Sequence, residues 1–214
     1  MKKLTYALLL CFSLMPGAGR ADYTEGVEYA RLPQSQPVET GNKIEVREIF
    51  WYGCPHCYSL EPAINKWLKT KPANAQFVRM PGILGQNWEP HARAFYAFEA
   101  LGVTNKLHGA LFDAIHARNQ ALDNESGIAE FVAKHGVDRE KFLNTYNSFS
   151  VTAQVKNAML MGQRYGIEGV PTLIVDGKFK TSSSMVGGHD ALMQLVDYLI
   201  KKSAAERKVP AKSS

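Results

Sequence analysis

Residues 48–58 read EIFWYGCPHCY, and they carry the strongest structural signal in the sequence. The run at residues 43–52 that contains its first half is rich in β-branched and aromatic side chains, which predicts a strand. Gly53 interrupts that pattern, and after Cys54 the apolar side chains recur at helical spacing, at Leu60, Ile64, Trp67 and Leu68. The sequence therefore predicts a strand that leads directly into a helix, with two cysteines in the first turn of the helix.

The Cys54-Pro55-His56-Cys57 tetrapeptide carries the chemistry that this local structure favours. The free N–H groups and the dipole at a helix N-terminus stabilise negative charge, so Cys54 is predicted to have a lowered pKa and to be the nucleophile. Cys57 lies one turn later and inward, and is predicted to be the resolving thiol. Pro55 suits the first helical turn because it has no N–H, and His56 can place a positive charge or a hydrogen-bond donor near the sulfur. Stabilising the reduced thiolate makes the corresponding disulfide a stronger oxidant.

Three other roles for the cysteine pair fit this sequence less well. A zinc site requires about four ligands, and no second cysteine pair or histidine cluster lies nearby. A c-type haem site has His directly after the second cysteine, where this chain has Tyr58. A structural disulfide is disfavoured because such a short loop constrains the unfolded chain very little. The sequence predicts redox catalysis by the two thiols, with no metal and no other cofactor.

The rest of the chain is organised around this strand and helix. Further elements are predicted as a strand at 76–80, five helical segments, a strand at 172–175, a turn at Asp176-Gly177, a strand at 178–180 and a helix from about 190 to 201. The order β-α-β, helical block, β-β-α indicates an α/β protein. Because each flanking half is too small to bury a core alone, we predict one α/β domain from residues 22–83 and 159–202, with a helical insertion at 84–158.

The two ends of the chain predict export and a disordered tail. Residues 1–21 combine a basic start, an apolar run at 4–15 and small residues before Ala21, which is the layout of a secretory signal peptide. The apolar run is well short of the ~20 residues of a membrane-spanning helix. Removing this segment takes away three basic and no acidic residues, so the net charge falls from +5 to +2. Residues 203–214 are basic and poor in apolar side chains, which predicts disorder, and no basic cluster indicates binding to nucleic acid.

Beyond the tetrapeptide, the chain resembles the DsbA-type thiol:disulfide interchange proteins, which are exported members of the thioredoxin-fold superfamily. The resemblance rests on residues 48–58, on Gly169-Val170-Pro171-Thr172 and on the Leu-Ile-Val-Asp-Gly-Lys run that ends at Lys178. It extends from about Tyr23 to Lys202 and includes the helical block. The fold that it implies is a thioredoxin fold (β-α-β … β-β-α) interrupted by an all-helical inserted domain.

The resemblance also implies roles for residues outside the tetrapeptide. Pro171 matches the family's cis-proline, which faces the active-site cysteine, and Val170 would present its backbone to a substrate segment as an added strand. Glu48 matches a buried carboxylate that assists proton transfer from Cys57, and its phase in the strand favours an inward position. The family usually pairs this glutamate with a lysine. Here the matching residue is Arg79, which would hold Glu48 ionised and argues against a relay through the pair.

Minor roles are expected for two further groups of residues. Candidates for an apolar groove beside the cysteines are Ile64, Leu84 and Val170. Five histidines share no spacing and are expected to be surface or capping residues, namely His91, His108, His116, His135 and His189.

The function that the resemblance implies is oxidation of thiols in exported proteins. A periplasmic monomer would pass its Cys54–Cys57 disulfide to reduced, newly translocated proteins, and a membrane quinone-linked partner would reoxidise it. A disulfide reductase or isomerase on the same fold is the first alternative, although Pro-His between the cysteines favours oxidation and no dimerisation domain is visible. A chaperone that binds peptides without redox chemistry is the second alternative, and the presence of both cysteines argues against it.

Overall fold

The computed structural model describes residues 22–208, which contain a five-stranded mixed sheet. Its strands are β1 (Ala30–Arg31), β2 (Ile44–Phe50), β3 (Ala75–Pro81), β4 (Thr172–Val175) and β5 (Phe179–Thr181). The order across the sheet is β1-β5-β4-β2-β3. Only the β2–β3 pair is parallel, since β4 pairs antiparallel with β2 and β5, and β1 pairs antiparallel with β5. All seven residues of β2 are buried, which fits its place between two other strands.

Eight helices surround this sheet in the described part of the chain. They are α1 (Pro55–Leu68), α2 (Glu89–Ala100), α3 (Thr104–His116), α4 (Glu125–Lys134), α5 (Arg139–Tyr146), α6 (Phe149–Arg164), α7 (Ser183–Val186) and α8 (His189–Lys208). A single 3₁₀ turn, Gln86–Trp88, precedes α2. The five helices α2–α6 lie between β3 and β4 in sequence, so the predicted order of β-α-β, helical block and β-β-α is confirmed.

Two clusters of buried apolar side chains hold these elements together. One cluster contains Cys54 and Cys57, Ile49 and Phe50 from β2, and many side chains from α2–α6. The other cluster joins α1 and α8 to apolar residues of the sheet such as Val46 and Leu173. The helical insertion therefore buries its apolar side against the segment that holds the two cysteines. No helix in residues 22–208 is long and apolar enough to cross a membrane.

The sharp turn between β4 and β5 follows the sequence signal. Asp176 and Gly177 have positive φ angles of 56° and 61°, which matches the hairpin turn that an Asp-Gly pair favours. The Lys178 N–H donates to the Val175 carbonyl at 3.0 Å and closes the turn. A side chain at Gly177 would overlap the backbone of Gln36, so only glycine fits there.

The C-terminal helix is longer than predicted, and part of the expected disordered tail is ordered. α8 continues to Lys208, so residues 203–208 of the predicted tail are helical. Arg207 explains this extension, because its guanidinium pairs with the buried Asp176 carboxylate and donates to the Asn42 carbonyl at 3.1 Å. The proposed boundary between residues 158 and 159 falls inside α6. The predicted signal peptide at 1–21 and residues 209–214 lie outside the described residues.

Candidate active site

Cys54 lies where β2 gives way to α1, as the sequence predicts. It occupies the N-cap position of α1 in extended conformation, and Pro55 takes the first helical turn. The Cys54 N–H donates to the Trp51 carbonyl at 3.0 Å, which closes the turn. A Cβ on Gly53 would overlap the Trp51 indole, so only a glycine allows the indole to lie against the turn at this position. Both thiols are free, with Cys54 8% and Cys57 0% exposed.

The pKa values of the two thiols are shifted in opposite directions. The pKa of Cys54 is lowered to about 6, mainly because the Cys57 thiol donates a hydrogen bond to its sulfur. Backbone N–H groups of Cys57 and His56 and the charge of His56 add to this lowering. Burial raises the pKa of Cys57 far above its ordinary value, and its hydrogen bond to the Cys54 sulfur raises it further. At neutral pH the reduced site therefore holds one thiolate, on Cys54, and one thiol, on Cys57.

Selective alkylation of the reduced protein tests this asymmetry. We expect the rate of iodoacetamide modification to rise with pH around a midpoint of about 6 and to affect Cys54 alone. Replacing His56 by alanine should raise that midpoint, since it removes a favourable charge beside the thiolate. The modification rates are measured by mass spectrometry between pH 4 and 10. A midpoint close to that of an ordinary thiol would contradict the assignment of the thiolate to Cys54.

The Gly169–Thr172 loop faces the cysteines across the site. The Val170–Pro171 peptide bond is cis, and the Cys54 sulfur lies 3.5 Å from the Val170 carbonyl oxygen. Val170, Pro171 and His56 line an open cavity of about 640 Å³ whose other wall includes His189 and residues 181–185. The tetrapeptide and the two loop residues singled out from the sequence are thus brought together.

The apolar groove candidates have separate locations. Ile64 is 0% exposed and belongs to the core between α1 and α8, so its assignment to a groove is wrong. Leu84 is 47% exposed but does not line the cavity beside His56. Val170 does line that cavity, whose other wall carries Ser182, Ser183, Ser184 and Met185.

Glu48 and Arg79 are joined by a hydrogen bond behind the cysteines. Arg79 Nε donates to Glu48 Oε2 at 2.9 Å, and the Glu48 side chain is 0% exposed. Burial raises the pKa of Glu48 to about 8, although Arg79 lowers it in part. Burial therefore opposes the expected effect of Arg79, because the loss of hydration raises the pKa of Glu48 more than one hydrogen-bonded cation lowers it. Negative charge on Glu48 also raises the pKa of Cys57, so the carboxyl and the thiol interact.

The Glu48–Arg79 pair belongs to a larger cluster that the sequence analysis missed. Arg79 Nη2 also donates to both oxygens of Glu61, at 3.0 and 3.2 Å, and Glu61 Oε1 lies 3.4 Å from His108 Nε2. His108 Nδ1 is 2.8 Å from the hydroxyl of Tyr52. Glu61 and His108 were detectable, because Glu61 is four residues after Cys57 and His108 shares the apolar face of α3 with Leu111 and Ile115.

Two of the five histidines contradict their expected surface position. His91 and His108 are 3% and 6% exposed. His91 Nε2 lies 2.7 Å from the Leu122 carbonyl oxygen. Burial lowers the pKa of both rings, so each is neutral at pH 7. Among residues 22–208, no group of three or more His, Cys, Asp or Glu side chains could hold a metal ion.

Comparisons with known proteins agree with this geometry. The family model of the DSBA-like thioredoxin domain matches residues 45–200. The thiol:disulfide interchange protein DsbA of Pseudomonas aeruginosa is 43% identical over 203 residues, which are 94% of this chain and 96% of the relative. DsbA of Azotobacter vinelandii is 43% identical over 182 residues, 85% of each chain.

Solved structures give the same result for the fold. The crystal structure of Pseudomonas aeruginosa DsbA matches with a TM-score of 0.83 and 43% identity, covering 87% of this chain and 97% of that one. DsbA from Xylella fastidiosa matches with a TM-score of 0.79 at 29% identity, over 86% and 98% of the two chains. The predicted thioredoxin fold with its helical insertion is confirmed, and the chain belongs to the DsbA family of thiol:disulfide interchange proteins.

Proposed function

We propose that this thiol–disulfide oxidoreductase is an exported oxidase, which donates its Cys54–Cys57 disulfide to reduced, newly translocated proteins. The observation that carries the direction of transfer is the stabilised thiolate on Cys54 in the reduced site. Whatever stabilises the reduced form makes the disulfide easier to reduce and hence more oxidising. Thiols of client proteins would therefore lose electrons to this site.

The transfer proceeds in two exchange steps. A client thiolate attacks the Cys54 sulfur, the Cys54–Cys57 bond breaks, and its electron pair passes to the Cys57 sulfur. The second client thiol, as its thiolate, attacks the client sulfur of the mixed disulfide and releases the Cys54 thiolate. Two electrons have moved from client to enzyme, the client has gained a disulfide, and the pKa near 6 makes Cys54 a good leaving group.

Glu48 supplies the proton that the first step requires. The departing Cys57 thiolate is 0% exposed and strongly disfavoured there, so it needs a proton at once. The Glu48 carboxyl, with a pKa of about 8, is protonated at neutral pH and can transfer that proton to Cys57. In reoxidation the ionised carboxylate takes the proton back as Cys57 attacks Cys54. Arg79 lowers the cost of that ionised state.

The client chain would bind along the Gly169–Thr172 loop. We propose that Val170 offers its backbone to an extended client segment and that Pro171 keeps the loop close to Cys54. His56 lies in the same cavity and favours the thiolate electrostatically. The open cavity beside them leaves room for residues that flank the client cysteine.

Compartment and partners follow from the same reading of the sequence. Cleavage of residues 1–21 would deliver residues 22–214, which contain the α/β domain and its predicted insertion at 84–158, to the periplasm as a monomer. There the reduced enzyme would pass its electrons to a membrane quinone-linked protein. The support is the composition of the N-terminal segment and the family to which the chain belongs.

A glutathione redox titration tests the proposed direction. We expect the purified protein to have a reduction potential of about −120 mV, as strongly oxidising DsbA proteins do, which is far above the value of about −270 mV for thioredoxin. The reduced and oxidised fractions can be quantified by alkylation and mass shift at each glutathione ratio. A thioredoxin-like potential would support the reductase alternative in place of the oxidase.

A further inference from the structure

His108 connects the buried ion cluster to the helical insertion. It lies on α3, its side chain is 8% exposed, and both ring nitrogens have polar neighbours. Nε2 lies 3.4 Å from Glu61 Oε1, and Nδ1 lies 2.8 Å from the Tyr52 hydroxyl. These contacts place one ring between a carboxylate and a phenol, with both neighbours also buried.

The surroundings of His108 select one tautomer. The ionised Glu61 carboxylate has no hydrogen to donate and can only accept a hydrogen bond. In this contact His108 Nε2 must therefore carry the hydrogen. Burial keeps the ring neutral, so Nδ1 has a free lone pair and accepts the hydrogen of the Tyr52 hydroxyl. His108 therefore donates to Glu61 and is held in that state by Tyr52.

The two carboxyl groups of the cluster receive different numbers of hydrogen bonds. Glu61 receives Arg79 Nη2 on both oxygens and His108 Nε2 on one of them. Glu48 receives only Arg79 Nε on Oε2, and its buried Oε1 has no hydrogen-bond partner among residues 22–208. Arg79 is the one cation bonded to both carboxyl groups in this cluster, so the group with fewer hydrogen-bond donors around it retains a proton. The geometry assigns that proton to Glu48.

We propose that His108 is a positioning residue that keeps the proton of the Glu48–Glu61 pair on Glu48. This assignment deepens the proposed function and rests on it, because Glu48 is the carboxyl that would exchange a proton with Cys57. Without the Nε2 donor, Glu61 would compete with Glu48 for the proton, and Glu48 would hold it for less of the time. Tyr52 takes part by holding the tautomer.

The remaining groups around Glu48 fit this account. Arg79 approaches from β3, Cys57 and Glu61 lie on α1, and Tyr52 lies between β2 and α1. The partner of Glu48 on β4 is Leu173, which carries no charge. The pKa of Glu48 is raised to about 8 by burial, whereas hydrogen bonds from His108 and Arg79 outweigh burial and lower that of Glu61.

A matched pair of substitutions at His108 tests the assignment. In His108→Gln the amide nitrogen can reach the position of Nε2 and still donate to Glu61, whereas in His108→Asn the shorter amide reaches only toward Tyr52. We expect the two carboxyl midpoints to converge by about one unit in His108→Asn, with Glu48 lower and Glu61 higher, and to return toward wild type in His108→Gln. The midpoints are measured by NMR on reduced protein labelled with ¹³C in glutamate carboxyls. Resonances are assigned with Glu48→Gln and Glu61→Gln.

Controls separate positioning from simple packing. His91→Asn makes the same change at another buried histidine, whose Nε2 contacts the Leu122 carbonyl and no carboxylate, so neither midpoint should move. Unchanged midpoints in His108→Asn, or equal shifts in His108→Asn and His108→Gln, would overturn the proposal. If His108→Asn does not fold, ¹⁵N NMR of the wild-type ring decides. The expected result is a neutral ring with its hydrogen on Nε2 at pH 7, and a cationic ring or the other tautomer would refute the assignment.

Failure of the proposed function would give a different pattern. The rate at which the reduced enzyme is reoxidised is measured in the wild type and in His108→Asn, across the pH range in which the two carboxyl groups titrate. If the carboxyl midpoints converge while that rate does not follow the Glu48 titration, the assignment of the proton stands and the role of Glu48 toward Cys57 is refuted. If the midpoints converge and the reoxidation rate follows the Glu48 titration, the assignment of the proton and the proposed function are both supported.

Discussion

Replacing Cys54 by serine is expected to reduce disulfide transfer to the uncatalysed background. The thiolate at the N-terminus of α1 is the sulfur that a client attacks and the group that leaves in the second step. A serine hydroxyl cannot form the disulfide and cannot replace the sulfur in either step. The measurement is the rate at which the variant oxidises a reduced model protein with glutathione disulfide as the terminal oxidant.

The Cys57→Ser variant provides the contrasting case. It should lose turnover as well, but it keeps the Cys54 sulfur and should accumulate mixed disulfides with client proteins, which Cys54→Ser cannot form. Both variants keep the fold-determining residues of the turn, so thermal unfolding should show that each is folded. Client oxidation by Cys54→Ser at the wild-type rate would refute the redox assignment and favour the chaperone alternative.

Local signals explain why the turn that holds the cysteines was predictable. The strand at β2, the break at Gly53 and the helix after Cys54 depend on residues that are neighbours in sequence. The strand predicted at residues 172–175 matches β4, and the Asp-Gly turn follows it as predicted. Thiol acidity also has a largely local cause, because Cys57 and His56 supply the hydrogen bonds that lower the pKa of Cys54.

Elements that depend on distant partners were not predictable in this way. β1 has two residues and exists only through its pairing with β5, about 150 positions away in sequence. The end of α8 is ordered by contacts of Arg207 with Asp176 and residues 41–43. The composition of residues 203–214 carries no trace of these contacts, which is why disorder was predicted for the whole segment.

The ion cluster shows the same limit within the site. Glu48 and Arg79 were found through a family resemblance, whereas Glu61 and His108 reach them from α1 and α3. The raised pKa of Glu48 depends on the balance between complete burial and one shared cation, which residue types alone do not determine. The periodicity of α3 would have placed His108 inside, but not beside Glu61.

Replacing Arg79 by methionine is expected to lower the free energy of unfolding at pH 7 by about 3–5 kcal/mol. Arg79 is hydrogen-bonded to both Glu48 and Glu61, whose side chains are 0% and 11% exposed. Methionine keeps part of the aliphatic stem but leaves two desolvated carboxyl groups without their cation. The loss is measured by urea denaturation of the wild type and the variant, each in the same redox state. A loss below about 1 kcal/mol would show that the cluster is open to solvent.

The pH dependence of that loss has a definite sign. In the wild type the lowered pKa of Glu61 gives stability that is present above the ordinary carboxyl pKa and is lost as the pH falls. The pKa of Glu48, raised to about 8, gives stability that is complete below the ordinary carboxyl pKa and is lost as the pH rises toward 8. Without Arg79, burial raises the pKa of both groups, so acid neutralises them more readily. The deficit of the variant should therefore shrink between pH 7 and about pH 5.

The Arg47→Met variant separates stability from redox chemistry. Arg47 is also buried, with 6% of its side chain exposed, and donates to Glu45 at 2.8 Å. Because successive side chains of a strand point to opposite faces, Arg47 lies across the sheet from Glu48. Its removal should cost a similar free energy of unfolding and leave the pH dependence of reoxidation unchanged, whereas Arg79→Met should alter both. If Arg79→Met changes stability alone, the cluster behind Cys57 serves the fold and not the transfer of its proton.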